Sequence, residues 1–90
     1  MKVKNAEIEN DMKETAIALY NVKTFDEYIE LINEFENLIQ DLSEYIRGYS
    51  HYAYGTEVKE VDNKKLVSYP TYVLFRNKYS KILYRIDFEF

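Results

Sequence analysis

The sequence has no cysteine and no tryptophan, and its 90 residues include only one histidine, one proline and two glycines. Without cysteine there can be no disulfide, no thiol nucleophile and no zinc site built on thiolate, which excludes a small secreted scaffold held by disulfides. Two glycines are too few for a glycine-rich phosphate loop. No apolar run approaches the roughly 20 residues of a membrane helix, and the N-terminus leads into alternating charges. We therefore expect a cytoplasmic protein without a membrane partner.

Residues for catalysis or metal binding are also scarce. His51 is the only histidine, and the sequence assigns it neither a nucleophile nor an orienting acid. One histidine cannot make a typical metal site without a cluster of carboxylates. Asp87 and Glu89 share a strand face, but neither is placed in an evidently apolar pocket, as a general acid would need. We therefore expect a protein that is not an enzyme and has no metal or other cofactor.

The composition is that of one globular domain. Hydrophobic residues make up 47% of the chain and charged residues 31%, values that are ordinary for a folded protein and unlike those of a disordered one. A chain of this length has room for one hydrophobic core, so residues 1–90 are predicted to form a single domain.

Apolar residues recur at helical spacing through the first half of the chain. Steps of three and four residues predict a first helix over about residues 6–20 and a second over about 24–47. The first stripe consists of Ile8, Met12, Thr15, Leu19 and Val22. The second consists of Phe25, Tyr28, Ile32, Phe35, Ile39, Leu42 and Ile46. Thr24 and Glu27 have the spacing of a capping box, and Gly48 suits the end of the second helix. The short connection predicts an antiparallel helix hairpin, although residues 1–3 could instead begin a short strand.

The spacing changes after Gly48 to the alternation of strands. Three strands are predicted, over about residues 51–61, 66–76 and 80–90, and Tyr52, Tyr54, Thr56 and Val58 are expected to share one face of the first. A two-residue turn at Asn77 and Lys78 would close the second hairpin. The resulting register pairs Arg76 with Tyr79, Phe75 with Ser80, Val73 with Ile82 and Thr71 with Tyr84. Pro70 cannot donate a ladder hydrogen bond, so it predicts an edge, a bulge or a break, with a bend in the chain.

Helices followed by consecutive strands predict an α+β fold. The helix hairpin should cover one face of a three-stranded antiparallel sheet, and the other face should meet solvent or a partner.

The charges are segregated along the chain. Residues 1–23 carry no net charge, residues 24–48 carry −6, and residues 49–90 carry +2. The second helix therefore presents an acidic back, whose candidate partner-binding residues are Glu27, Glu30, Glu34, Asp41 and Glu44. Such a surface could dock on a basic protein, for example the nucleic-acid groove of a nuclease. The alternative is an ordinary solvated helix face.

A second candidate surface lies on the uncovered sheet face. The predicted register gathers there Tyr72, Leu74, Arg76, Tyr79, Lys81, Leu83 and Arg85. Bases interleaved with aromatic residues can stack nucleobases and meet phosphates, and the same mixture is typical of protein interfaces. A solvated face is the third interpretation. The acidic net charge of −4 disfavours a nucleic-acid partner relative to a protein partner.

Two resemblances bear on function. The element order resembles that of the small ribonuclease toxins of bacterial toxin–antitoxin pairs, especially if residues 1–3 form a strand. Those toxins are strongly basic, whereas this chain is acidic. None of their catalytic residues can be assigned to a position in this sequence. In overall character the chain resembles small acidic phage-encoded inhibitors of host defence, including anti-CRISPR proteins. That resemblance implies a non-enzymatic module that inhibits a nucleic-acid-handling or defence protein. The alternatives are a nucleic-acid-binding module, a self-associating subunit such as a homodimer, and a toxin-like protein.

Overall fold

The computed structural model describes residues 2–90, with side chains from residue 5 onward. Two helices, α1 (Lys2–Tyr20) and α2 (Phe25–Ser43), precede three strands, β1 (His51–Val61), β2 (Lys65–Arg76) and β3 (Ile82–Asp87). The strands form one antiparallel sheet in the order β1-β2-β3. Both helices contribute to a core with the sheet, so the predicted α+β fold is confirmed.

Helix α1 begins at Lys2, so the alternative of an N-terminal strand is wrong for residues 2 and 3. Met1 lies outside the described residues. Helix α2 begins after Thr24, whose Oγ1 accepts the Glu27 N–H at 3.2 Å, as the capping box predicts. A capping box would also have the Glu27 carboxylate accept the N–H of Thr24. In the structure this carboxylate instead accepts the N–H of the preceding residue, Lys23.

Helix α2 ends at Ser43, four residues before the predicted end at 47. The N–H groups of Tyr45 and Ile46 donate to carbonyls three residues back, which tightens the chain into a turn. Gly48 then takes a φ of +85°, a left-handed conformation that glycine adopts at little cost. The chain therefore turns toward the sheet earlier than the apolar stripe predicts.

The main core lies between the helix pair and the helix-facing side of the sheet. Strand β2 lies at the centre of the sheet and brings Val73 and Phe75 into this core. The other buried members are Ile8, Met12, Ala16, Leu19, Phe35, Ile39, Leu42, Ile86 and Phe88. A smaller cluster of Val22, Val61 and Val67 lies beside the β1–β2 turn and adjoins the main core through Tyr28 and Leu31. The helical stripes predicted from spacing therefore supply most of the buried helix residues.

The register of the second hairpin differs from the prediction. Val73 lies opposite Ile86 instead of Ile82, and Phe75 lies opposite Tyr84 instead of Ser80, a displacement of four residues. The two-residue turn is replaced by a loop over residues 77–81, which the Asn77 carboxamide closes. Its Oδ1 accepts the N–H groups of Tyr79 and Lys81 at 2.8 and 3.0 Å.

The same change moves the other two predicted pairs. The Phe88 N–H donates to the Thr71 carbonyl at 3.0 Å, so Thr71 faces Phe88 instead of Tyr84. Arg76 lies opposite Ile82 instead of Tyr79, and the register shifts again between Phe75 and Arg76. A displacement by an even number of residues preserves the two faces of a strand, which is why Ile86 and Phe88 still enter the core as their alternation predicts, while Ile82 and Tyr84 remain exposed.

Pro70 marks a bulge, which was one of the three predicted outcomes. The β1–β2 register shifts where Gly55 faces Tyr72 and Thr56 faces Pro70, leaving Thr71 as the extra residue. Strand β2 nevertheless continues unbroken from Lys65 to Arg76. Pairing with β3 reaches only Thr71, so Pro70 lies where β2 pairs with β1 alone.

Candidate functional site

The carboxylates predicted on the second helix form a continuous exposed surface. We call Glu27, Glu30, Glu34, Asp41 and Glu44 the acidic helical face; all five side chains are exposed. Among the side chains described, salt bridges join only Lys13 to Glu9 and Arg85 to Asp87, so none of these five forms one. Glu27 lies close enough to Lys59 to interact with its charge, whereas the other four carboxylates face solvent. The acidic helical face is therefore a predominantly negative surface.

Helix α1 extends this field. A cleft of about 390 Å³ between the helices is lined by Glu7 and Asp11 of α1 and by Asp41 and Glu44 at the end of α2. A second cleft of about 490 Å³, at the other end of the helix pair, has Glu27, Glu30 and Glu34 on its rim. Four carboxylates around one cleft attract cationic groups such as lysine and arginine side chains of another protein.

The outer sheet face, which is the side away from the helices, is covered by its own side chains. The Tyr72 ring lies across Gly55 so closely that a Cβ added there would be 2.1 Å from Tyr72 Cε2. The Arg85 guanidinium stacks on the Tyr72 ring at 4.4 Å from its centroid. Asp87 accepts from Arg85 Nε and Nη2 at 2.9 and 2.8 Å. We call Gly55, Tyr72, Arg85 and Asp87 the outer stack.

The remaining predicted residues of this face lie around the loop. Arg76 donates from Nη1 to the Ser80 carbonyl at 2.8 Å, which fixes its guanidinium to the loop backbone. Tyr79 and Lys81 lie in the loop itself, and Tyr79 is 78% exposed. The structure thus separates the predicted patch into the outer stack and an exposed loop.

Two aliphatic assignments to this patch are corrected. Leu83 was expected on the uncovered sheet face, but it lines a cleft on the helix side together with Ile46 and Tyr84. The register of β2 and β3 shifts next to this position, between Phe75 and Arg76. Leu74 is on the outer face as predicted but is buried, so it offers no area to a partner.

Most tyrosines of the sheet face the helices, which spacing alone did not show. Tyr54 Oη lies 3.4 Å from Glu36 Oε2 and Tyr84 Oη donates to Glu9 Oε1 at 2.6 Å. Tyr28 reaches from α2 to donate to the Ser68 carbonyl at 2.8 Å. Burial, with the nearby Glu36 carboxylate, raises the pKa of Tyr54 to about 12. These rings hold the helices to the sheet.

The predicted face of β1 is also divided. Tyr52 and Tyr54 pack against the main core, with their rings stacked at 6.1 Å. Val58, which was expected beside them, is 64% exposed. The register shift between Gly55 and Thr56 reverses the alternation along β1, so the expectation of one shared face is wrong.

His51 begins β1 and is exposed, as interpreted from the sequence. Its Nε2 lies 3.5 Å from Ser80 Oγ, and no carboxylate among the described side chains hydrogen-bonds to the ring. The pair therefore lacks the acid that would orient a catalytic histidine. Within residues 2–90, no three histidine or carboxylate side chains form a group able to hold a metal ion.

No helix in the described part of the chain combines the length and apolar character needed to cross a membrane. Comparison of the chain with family models, with curated proteins and with solved structures returns no match.

Proposed function

We propose that this protein is a small non-enzymatic binding module whose acidic helical face docks on a basic surface of a protein partner. The observation that carries the proposal is the contrast between the two candidate surfaces. The acidic helical face is exposed and forms no salt bridge among the described side chains. Tyr72 and Arg85 of the outer face are instead held by contacts within the chain.

The partner class follows from charge complementarity. A row of carboxylates along a helix resembles a nucleic acid in presenting successive negative charges. Such a row attracts the basic surfaces of proteins that bind phosphates. Nucleic-acid-handling proteins and defence nucleases carry such surfaces. A module of this kind, encoded by a phage or another mobile element, would inhibit its target by covering the basic groove. At physiological salt the attraction extends over about 8 Å, so docking has to bring the two surfaces nearly into contact.

The test is capture of a partner by a charge-reversed variant and by its matched control. Tagged wild-type protein, E30K/E34K and E60K/E89K are used to capture proteins from a bacterial lysate. Both double variants change the net charge equally, but Glu60 and Glu89 lie outside the acidic helical face. We expect wild type and E60K/E89K to retain one stoichiometric basic partner, and E30K/E34K to lose it.

Kinetics with the purified partner provide the second readout. E30K/E34K should associate at least tenfold more slowly than wild type at low salt, and the two rates should converge as salt screens the charges. Recovery of no stoichiometric partner, or equal association rates at low salt, contradicts the proposal.

A further inference from the structure

We propose that the open edge of β3 pairs with the same edge of a second copy, giving a two-fold dimer with a continuous six-stranded sheet. The inference rests on surfaces outside the acidic helical face and does not depend on the proposed function. Strand β3 is an outer strand of the sheet, and no other strand within residues 2–90 pairs with its far edge. An open edge carries unpaired N–H and C=O groups that can hydrogen-bond to another chain.

Large apolar side chains line this edge. Five of them are between 42% and 49% exposed: Ile17, Tyr20, Ile82, Tyr84 and Phe90. Two contacts place α1 along β3: Tyr84 donates to Glu9, and Tyr20 stacks on Phe90 with ring centroids 4.6 Å apart. Ile17 lies three residues before Tyr20 and therefore on the same stripe of α1. The edge and the adjoining helix stripe thus form one partly uncovered apolar strip.

The opposite edge of the sheet is protected in a way that β3 is not. The register shift beside Gly55 interrupts the regular ladder of β1 near its middle. Bulges are one of the devices by which natural sheets prevent edge pairing. Both outer strands carry charged residues, Glu57, Lys59 and Glu60 on β1 and Arg85 and Asp87 on β3, but β3 is regular between Tyr84 and Asp87. The β3 edge is therefore the one suited to pairing.

The hydrogen-bond phase of β3 limits how two copies can pair. The Phe88 N–H bonds to Thr71, so Phe88 and, by alternation, Ile86 and Tyr84 direct their backbone groups toward β2. The backbone groups of Arg85 and Asp87 consequently point to the open edge. An antiparallel β3 pair must place these outward residues opposite one another.

The charges on β3 then select one register. A two-fold axis at Ile86 sets Arg85 opposite Asp87 of the partner subunit and repeats the same pair on the other side of the axis. An axis at Arg85 sets arginine against arginine, which is unfavourable. An axis at Asp87 sets Arg85 opposite Glu89 of the partner subunit but also sets aspartate against aspartate. An axis at Tyr84 sets Asp87 opposite Lys81 of the partner subunit but leaves Arg85 opposite leucine, so only the axis at Ile86 gives both charged residues of β3 an opposite charge.

The register centred on Ile86 also matches the apolar side chains. Ile86 faces its own copy, and Tyr84 faces Phe88 of the partner subunit on the helix-facing side of the sheet. Because Glu9 and Tyr20 of α1 contact Tyr84 and Phe90, the same axis would bring the two copies of α1 toward each other in antiparallel orientation, on the side that carries Tyr20. Strand pairing and apolar burial therefore favour the same two-fold arrangement.

The test is a charge-swap experiment read by sedimentation and light scattering. Wild-type protein should show a concentration-dependent species of twice the 10.9 kDa monomer mass. R85D alone and D87R alone place like charges across the axis, so each variant should be monomeric at concentrations where wild type is a dimer. An equimolar mixture of R85D and D87R should form a heterodimer, because each position then faces an opposite charge.

The mixture separates the proposal from a structural role of the Arg85–Asp87 ion pair within one chain. Neither variant regains that internal pair on mixing, so only pairing between chains explains restored association. E60K on β1 is the control and should dimerise like wild type. A wild-type protein that stays monomeric up to millimolar concentration overturns the proposal, as does a dimer that R85D leaves intact or a mixture that does not associate.

Discussion

Gly55 is the residue on which the outer stack depends. The Tyr72 ring occupies the space that a β-carbon would fill, and Arg85 holds the ring in place from above. Glycine weakens a strand, and a cross-strand aromatic ring that covers it compensates by burying the exposed backbone. The sequence shows Gly55 and Tyr72 but not their proximity, because the bulge beside Pro70 determines which residues face each other.

Substitution of Gly55 by alanine should lower the free energy of unfolding by about 1–3 kcal/mol, since the added methyl group forces the Tyr72 ring away. Urea unfolding measures the change. In a Tyr72→Ala background the same substitution should cost much less, because the clash is then absent. G48A is the comparison: it should cost about 1 kcal/mol through its positive φ, and Tyr72→Ala should not relieve that cost. Equal costs of G55A in both backgrounds would contradict the assignment.

Tyr54 should make stability depend on pH in the alkaline range. Burial and the Glu36 carboxylate raise its pKa to about 12 in the folded protein, against about 10 in an unfolded chain. The folded state therefore holds the proton more tightly. The associated stabilisation is complete below about pH 10 and is lost as the pH rises toward 12.

Tyr54→Phe removes this titration, so the free energy of unfolding should fall less steeply between pH 10 and 12 than in wild type. Urea unfolding at several alkaline pH values tests this. In the Glu36→Gln variant the pKa of Tyr54 should move down but stay above its ordinary value, since burial is the larger cause. An alkaline loss that is identical in wild type and Tyr54→Phe would refute the expectation.

At the scale of secondary-structure elements, the C-terminal end of α1 is capped by a side chain from the sheet. The Lys59 ammonium of β1 donates to the carbonyls of Tyr20 at 2.8 Å and of Val22 at 2.5 Å, just past the last turn of the helix. These carbonyls lie at the negative end of the helix dipole, where a cation is stabilising. Desolvation lowers the pKa of Lys59, which is consistent with an ammonium partly withdrawn from water.

Lys59→Met should therefore destabilise the protein by about 1–2 kcal/mol, since it keeps the side-chain length but leaves both carbonyls without their donor. Lys64→Met is the matched control, because Lys64 is exposed in the β1–β2 turn, and it should change the free energy of unfolding by less than about 0.5 kcal/mol. Thermal or urea unfolding of the two variants measures these changes. If both variants lost the same free energy of unfolding, Lys59 would contribute only its positive charge and not its hydrogen bonds to the carbonyls.

The start of α2 shows how local and distant caps combine. Thr24 caps the helix from the adjoining residue, as its spacing to Glu27 predicts. The Asp62 carboxylate, 37 residues away in the β1–β2 turn, accepts the N–H of Phe25 at 2.9 Å. Asp62 and Asn63 have positive φ values of 52° and 70°, and this tight turn carries the carboxylate to the helix. Sequence spacing reveals the first cap and not the second.

For the molecule as a whole, the charge layout argues against nucleic acid as the main partner. The helical layer is acidic and net charge is −4, while Arg85 and Arg76 are engaged within the chain. Single-stranded RNA or DNA should therefore show no saturable binding at micromolar protein and low salt, as measured by fluorescence anisotropy. Binding that weakens with salt and disappears in Tyr79→Ala and Lys81→Ala would reinstate the outer face and its loop as a nucleic-acid site.

The sequence by itself determined the fold class and the existence of all five elements. The side-chain periods of 3.6 residues in a helix and 2 in a strand follow directly from backbone geometry, so the sequence alone reveals which residues of one element can share a face. The bounds of β1 were predicted as observed at residues 51–61, and the stripe that starts at Ile8 is buried as expected. The acidic helical face was likewise visible, since it needs only helical spacing and charge.

Only the tertiary structure decided the β2–β3 register. It also decided which tyrosines face the helices and which lie on the outer sheet face, and that the side chains of the outer face are engaged with one another. The Asn77 carboxamide bonds to loop N–H groups and lengthens a turn that two residues could have closed. Tyr72 is occupied because Gly55 and Arg85 lie on neighbouring strands beside it. Each outcome depends on contacts between residues that strand pairing brings together, whereas periodicity reports only which face of its own element a residue occupies.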